Sequence, residues 1–181
     1  SQFAGGTLAL PFFENEASGY PTSGVYFEAE GEISPPLWDV DSVWGSLSGA
    51  LALYLSSHDG RVTSSLRGGG TPVFGTYPYF GAATLGGGGG VGWSALARGF
   101  RPQRFSGDAS VYGNLDLRIF LVPLKLVVPG ELGIHGFVDV GRVFLEGEDS
   151  KALHTSVGGG IWYSPLTRTN TISLSVAASS E

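Results

Sequence analysis

Between Ala109 and Leu121 side-chain character switches at every residue. Ala109, Val111, Gly113, Leu115, Leu117, Ile119 and Leu121 alternate with Ser110, Tyr112, Asn114, Asp116, Arg118 and Phe120. In a strand, successive side chains point to opposite faces, so this pattern gives one apolar and one polar face. The same reading holds at 25–33, where Val25, Phe27, Ala29 and Ile33 oppose Tyr26, Glu28, Glu30 and Glu32, and at 43–56, 133–144, 153–164 and 171–178. Weaker alternation at 6–13 and 61–74 brings the expected total to about eight antiparallel strands, and no helical period competes with it. Turns are expected at His58-Asp59-Gly60, Pro129-Gly130, Glu146-Gly147-Glu148-Asp149 and Ser164-Pro165.

These strands exceed the globular mode of about 5–6 residues and match the roughly 9–11 that cross a bilayer at a tilt. Only 14% of residues are charged, against about 25% in soluble domains. No long apolar run reads as a membrane helix, so a bilayer can be crossed here only by a closed barrel, in which every backbone polar group finds a partner. Aromatic residues near strand ends (Trp38, Trp44, Tyr77, Tyr79, Tyr163) point the same way. The fold expected is an antiparallel transmembrane β-barrel, with a soluble β-sandwich as the alternative.

The residues contain no catalytic constellation, and the expectation is no enzyme, cofactor or metal. A net charge of −6 argues against nucleic acid, and the absence of Cys excludes disulfides and thiolate metal sites. His58, His135 and His154 fall on separate elements without ligand spacing. Gly45-Ser46-Leu47-Ser48-Gly49 centres on Leu and is no nucleophile elbow. Gly86 to Gly90 lacks the Lys and Ser or Thr of a phosphate-binding loop. The glutamates Glu28, Glu30 and Glu32 share the polar face, where Arg61, Arg67 or Arg118 are candidate partners.

The stretch 75–107 reads as one long irregular loop, and loops of this length are commonly functional. It carries Ala97-Arg98-Gly99-Phe100 and leads into Arg104-Phe105-Ser106-Gly107-Asp108. Asn114-Leu115-Asp116-Leu117-Arg118, Phe137-Val138-Asp139-Val140-Gly141 and the run from Gly158 to Pro165 follow in order. Together these motifs resemble the BamA/TamA-type bacterial surface antigen superfamily of Gram-negative outer-membrane assembly and translocation barrels. Over 98–163 they are similar to barrels fused behind metallophosphoesterase or patatin-like domains. The likeness covers about 85–180, with Asp116 standing where the family usually has Glu.

That resemblance implies a sixteen-stranded barrel, of which residues 1–181 form a single segment corresponding to strands eight to fifteen. It implies that Arg98, Gly99 and Phe100 fold back into the lumen and that Arg98 docks on wall partners Asp116 and Asp139, with Phe137 and Gly141 completing the strand motif. Parity independently puts both aspartates on the polar face. The implied function is insertion or translocation of proteins across the outer membrane. The implied partners are the bilayer, client or passenger proteins, and further barrel strands from the same or another chain. A passive channel or a membrane anchor for a fused N-terminal domain is the alternative.

Overall fold

A computed structural model describes residues 4–14 (backbone only), 23–35, 42–87, 97–125, 128–148, 152–166 and 171–180. It is all-β. Ten strands follow in chain order: β1 (Ala4–Glu14), β2 (Ser23–Ser34), β3 (Trp44–Ser56), β4 (Val62–Gly75), β5 (Ala83–Leu85), β6 (Phe105–Gly107), β7 (Ala109–Lys125), β8 (Pro129–Phe144), β9 (His154–Pro165) and β10 (Ile172–Ser179). Eight form one antiparallel sheet in the order β1-β2-β3-β4-β7-β8-β9-β10, while β5 and β6 pair separately. Each long strand pairs with its sequence neighbour except where β4 meets β7 across the β5–β6 insertion.

Two expectations change in detail. Pro129-Gly130 and Ser164-Pro165 stand at the strand ends beside the hairpin connections: Pro129 opens β8 opposite Lys125, Pro165 closes β9, and the strands pair out to them, Gly130 opposite Pro165 and Glu131 opposite Ser164. The strands therefore run on, β7 to 17 residues and β8 to 16, with a register shift between Phe120 and Val122 that interrupts the alternation. The segment 75–107 is also not wholly irregular. It holds a 3-10 turn at Tyr79–Gly81, the β5–β6 pair and a bridge between Gly87 and Ala97. Three-residue strands are too short for alternation to reveal them. Gly88, Gly89 and Gly90 of the glycine run, Trp38 and Trp93 lie outside the described residues.

The faces are inverted relative to a water-soluble sheet. On β7, Val111, Leu115, Leu117 and Leu121 are 42–49% exposed, while Ser110 and Asn114 on the other face are each 2% exposed. The same rule runs through β3, where Leu47, Leu51 and Leu55 are exposed, and through β8 and β9, where Ile134, Val138, Val157 and Ile161 are exposed. A sandwich core would have covered this apolar face. Instead the polar face of β7 and β8 is covered, by β5, β6 and the residues around Arg98. Apolar surface left in water costs roughly 25 cal/mol per Å², and contiguous patches beyond a few hundred Å² mark a contact with another apolar phase or partner.

Among the described residues β1 and β10 do not pair with each other, so the sheet is open and barrel closure is not seen. β10 is the shortest sheet strand, and Ile172, Leu174 and Val176 are 68–79% exposed. Its outer backbone edge is unpaired among the described residues. Amide hydrogen exchange of this chain is accordingly expected to be slowest in the centres of β7, β8 and β9 and much faster in β10. Equal protection in β10 would mean that its edge is paired.

Candidate arginine site

The register of three neighbouring strands builds a polar row before any side chain is considered. Asn114 on β7 lies opposite Asp139 on β8, which lies opposite Ser156 on β9. The next row is Asp116, Phe137 and Gly158. Asp139 has no solvent exposure, and Asn114 and Ser156 are buried beside it. A carboxylate in that position must be paired and hydrogen-bonded, because removing an isolated charge from water costs several kcal/mol (~3–5 when a buried pair loses one member).

Arg98 supplies the pairing. Its Nε and Nη2 donate to the two oxygens of Asp139 at 2.9 and 2.6 Å, and its backbone N–H donates to Asp139 Oδ2 at 2.8 Å. Its Nη1 and Nη2 donate to Asp116 at 2.6 and 3.1 Å. One guanidinium thus forks onto both carboxylates, a geometry that its planar array of donors permits and an ammonium does not. Asn114 Nδ2 donates to Asp139 Oδ1 at 2.9 Å, and Ser156 Oγ approaches Oδ2 at 3.4 Å. The guanidinium carbon also sits 3.8 Å from the centroid of Phe137, adding a cation–π contact.

The neighbours of Arg98 seat it. Gly99 has φ +91°, and a Cβ there would lie 3.2 Å from Ala177 Cβ and 3.4 Å from Ser156 Cβ. Both the backbone and the space therefore call for glycine. Phe100 is buried in a cluster with Leu85 and Ala97, against Phe105, Tyr112 and Val143. Leu85, fully buried, occupies the space above Gly141, where a Cβ would come within 2.7 Å of both its methyl carbons. Burying Leu85 and Phe100 contributes about 1.5–3 kcal/mol each. Gly141 is therefore the socket for β5.

All seven residues singled out from the sequence meet here: Arg98, Gly99, Phe100, Asp116, Phe137, Asp139 and Gly141. Sequence reasoning missed Asn114, Ser156 and Leu85. The first two were legible in principle as polar residues on the strand faces flanking Asp139, but their alignment depends on register. The glutamates are less engaged. Tyr26 donates to Glu28 at 3.3 Å, Glu30 is exposed, and Arg61 pairs with Asp59 at 3.8 Å rather than with this row. Among the described residues no group of three or more His, Cys, Asp or Glu is placed to hold a metal.

A second tie fixes the same insertion at its start. Tyr77 donates its hydroxyl to Asp108 Oδ1, while Asp108 Oδ2 accepts the Glu146 backbone N–H. Asp108 thereby joins the entry of the insertion, its exit and the β8–β9 connection. No protein-family model matches the chain, and no curated protein matches it either.

Removing Arg98 strands a buried carboxylate. Arg98→Ala and Asp139→Ala are each expected to lower stability by about 3–5 kcal/mol, whereas the double variant loses less than the sum. Arg98→Lys is expected to behave closer to Arg98→Ala than to wild type. Denaturant midpoints of wild type and the four variants check this, and additive losses would mean that the two side chains act independently.

The latch has its own pH window. The Tyr77 hydroxyl, and then the Glu146 N–H, hold the Asp108 carboxyl below its usual range. Burial first, then the hydrogen bond to Asp108 and the charges of Asp108 and Glu146, push Tyr77 up to about 12. The contribution of Asp108 is present above its unfolded pKa, about 3.9, and is lost as pH falls through its lower folded value. The contribution of Tyr77 is complete below its unfolded pKa, about 10, and is lost as pH rises through its raised folded value. The difference in melting temperature between wild type and Tyr77→Phe is expected to be constant between these limits and to shrink beyond both. A difference that ignores pH would remove Asp108 as the partner.

Proposed function

We propose that this chain forms part of a transmembrane β-barrel of the bacterial outer membrane, of the BamA/TamA type, which inserts or translocates other proteins. The observation that carries the membrane reading is the inverted sheet. Apolar side chains are exposed along every long strand whose side chains are described, while the polar face holds the buried Asp139 and its guanidinium. In a bilayer the outward face meets lipid and the inward face a polar lumen. A soluble sandwich offers no reason for leaving Leu47, Leu115 and Val138 uncovered.

The open edges support a larger barrel. Unpaired strand edges are not tolerated in lipid, so further strands pair with β1 and β10, and sixteen in total is the count that the family resemblance implies. The family reading rests on that order: Arg98-Gly99-Phe100, Asp116, Phe137 to Gly141, then Gly158 to Pro165. It is supported by how Arg98 binds. A loop tied to two wall strands by a charged fork suits a barrel whose wall must be held in one working arrangement. A passive pore has less need of such a brace.

Two measurements test this reading. Leu117→Arg is expected to cost about 2–4 kcal/mol when folding is measured in a bilayer, as for a cation near the membrane midplane. A change within about 0.5 kcal/mol, usual for a water-facing surface, would end the membrane reading. In cells, Arg98→Ala and Asp139→Ala are expected to lower the amount of folded barrel and the delivery of client proteins together. Client delivery unchanged in both variants would remove the assembly role while leaving the barrel intact.

A further inference from the structure

Alternate residues of β2, β3, β4, β7, β8, β9 and β10 make up the outward, apolar face of the sheet. Among the described residues at those positions only Arg142 is charged. It stands on β8 opposite Val111 of β7, just before the strand ends at Phe144. Val138, Val140 and Phe144 share its face and are exposed, while Asp139 turns the other way, to Arg98. A cation on a lipid-facing strand is costly at the bilayer midplane and close to neutral in effect at the interface. Arg142 therefore marks a level.

Its side chain leans the way that level requires. The guanidinium carbon lies 4.6 Å from the ring centroid of Phe144. Phe144 is the last residue of β8, so the cation is carried toward the strand end and away from the apolar band, as in a snorkelling arginine. Glu146 and Glu148 are exposed in the connection beyond it, and carboxylates in water engage an arginine only weakly. The other margin of the band is marked by Tyr163, on the outward face of β9 opposite Leu132, whose hydroxyl donates to Val128 O at 2.6 Å. Tyrosines with an apolar ring and a polar tip are enriched at membrane interfaces. From Leu132 to Arg142 the strand advances roughly 33 Å at about 3.3 Å per residue. Tilted by about 40°, that is roughly 25 Å along the membrane normal, the height of the apolar band on an outer-membrane barrel. The outward residues of β8 between those limits are Ile134, Gly136, Val138 and Val140.

We propose that Arg142, braced on Phe144, is a headgroup anchor that binds the phosphate of an anionic membrane lipid. This rests on the membrane reading above and adds the level of the sheet in the bilayer and the lipid it prefers. The planar fork of a guanidinium suits the paired oxygens of a phosphodiester, and the exposed Val111, Val138 and Val140 offer apolar surface to the acyl chains. A zwitterionic lipid carries the same phosphate but offsets it with its own cation, so the anchor discriminates by net charge.

Quenching by brominated lipids tests the anchor and the membrane reading separately. In the full protein folded into vesicles, Phe144→Trp puts an indole beside Arg142 and keeps a ring for the cation. The emission it adds over wild type is followed as dibrominated phosphatidylglycerol or dibrominated phosphatidylcholine replaces the unlabelled lipid. Both lipids are expected to quench it, with phosphatidylglycerol associating about fivefold more strongly, the gain from one arginine near anionic headgroups. Arg142→Gln in the same background is expected to bring that ratio close to one. Equal association of the two lipids with Arg142 in place, or a preference that survives Arg142→Gln, overturns the anchor and leaves the membrane reading standing. The first of these comparisons decides by itself should the Gln variant not fold. Quenching by neither lipid overturns the membrane reading, and the anchor with it.

Discussion

Asp139 has no exposure to solvent, and the organisation of the polar face follows from neutralising it. A bare carboxylate at that depth would be expelled or protonated, so the sheet must bring it donors from both sides and a cation from above. The flanking strands provide Asn114 and Ser156 by register alone. The cation comes from a segment inserted between β4 and β7, and it can reach only if that segment lies down on the sheet. The ion pair therefore determines where the insertion goes. Leu85 over Gly141 and Phe100 in its cluster then cover the space around the charge and exclude water. Lower local dielectric strengthens the pairing that brought them there. Charge and packing each make the other more favourable, which is why the segment has one docked arrangement rather than many.

The inverted sheet explains why such a burden of buried polarity is tolerable. A soluble domain of this size gains its stability from an apolar core, whereas here the large apolar side chains of β3, β7, β8 and β9 point away from the covered face. What remains between the sheet and the insertion is small: Leu85, Ala97 and Phe100 in one cluster, Trp44, Val73 and Ala83 in another. Directional contacts carry more of the tertiary organisation than in a soluble sheet. In water this arrangement leaves the largest apolar surface unpaid. In lipid the same surface is at its optimum, and the polar face becomes the part that needs specific design.

Much of this was legible in the sequence because strand parity is a local property. The alternation in 109–121 and 133–144 assigned Asp116 and Asp139 to one face without any knowledge of pairing, and the motif resemblance supplied Arg98 as their partner. What parity cannot supply is register. Whether Asn114 or Asp116 lies opposite Asp139 differs by a two-residue slip that preserves every face. Pro129-Gly130 and Ser164-Pro165 carried strong turn composition and do mark where β8 begins and β9 ends, but their composition could not show that the two strands pair out to them, Gly130 opposite Pro165. Leu85 was unreadable for a different reason. Its partner is the empty space over a glycine 56 positions later, and no sequence pattern encodes a missing side chain.

Gly133 and Gly158 extend that last point to the whole polar face. Each is overlain by a large ring, Trp162 on the first and Phe137 on the second. Phe137 in turn holds the guanidinium of Arg98, and Trp162 is fixed by its Nε1–H on Ile134 O. A ring lying flat along the sheet needs a neighbour without a Cβ, so glycines in this chain do not weaken the strands so much as set the direction of their largest inward side chains. The glycine content that would read as low complexity is, on β8 and β9, the template that sets how Phe137 and Trp162 lie along the sheet and so shapes the arginine site.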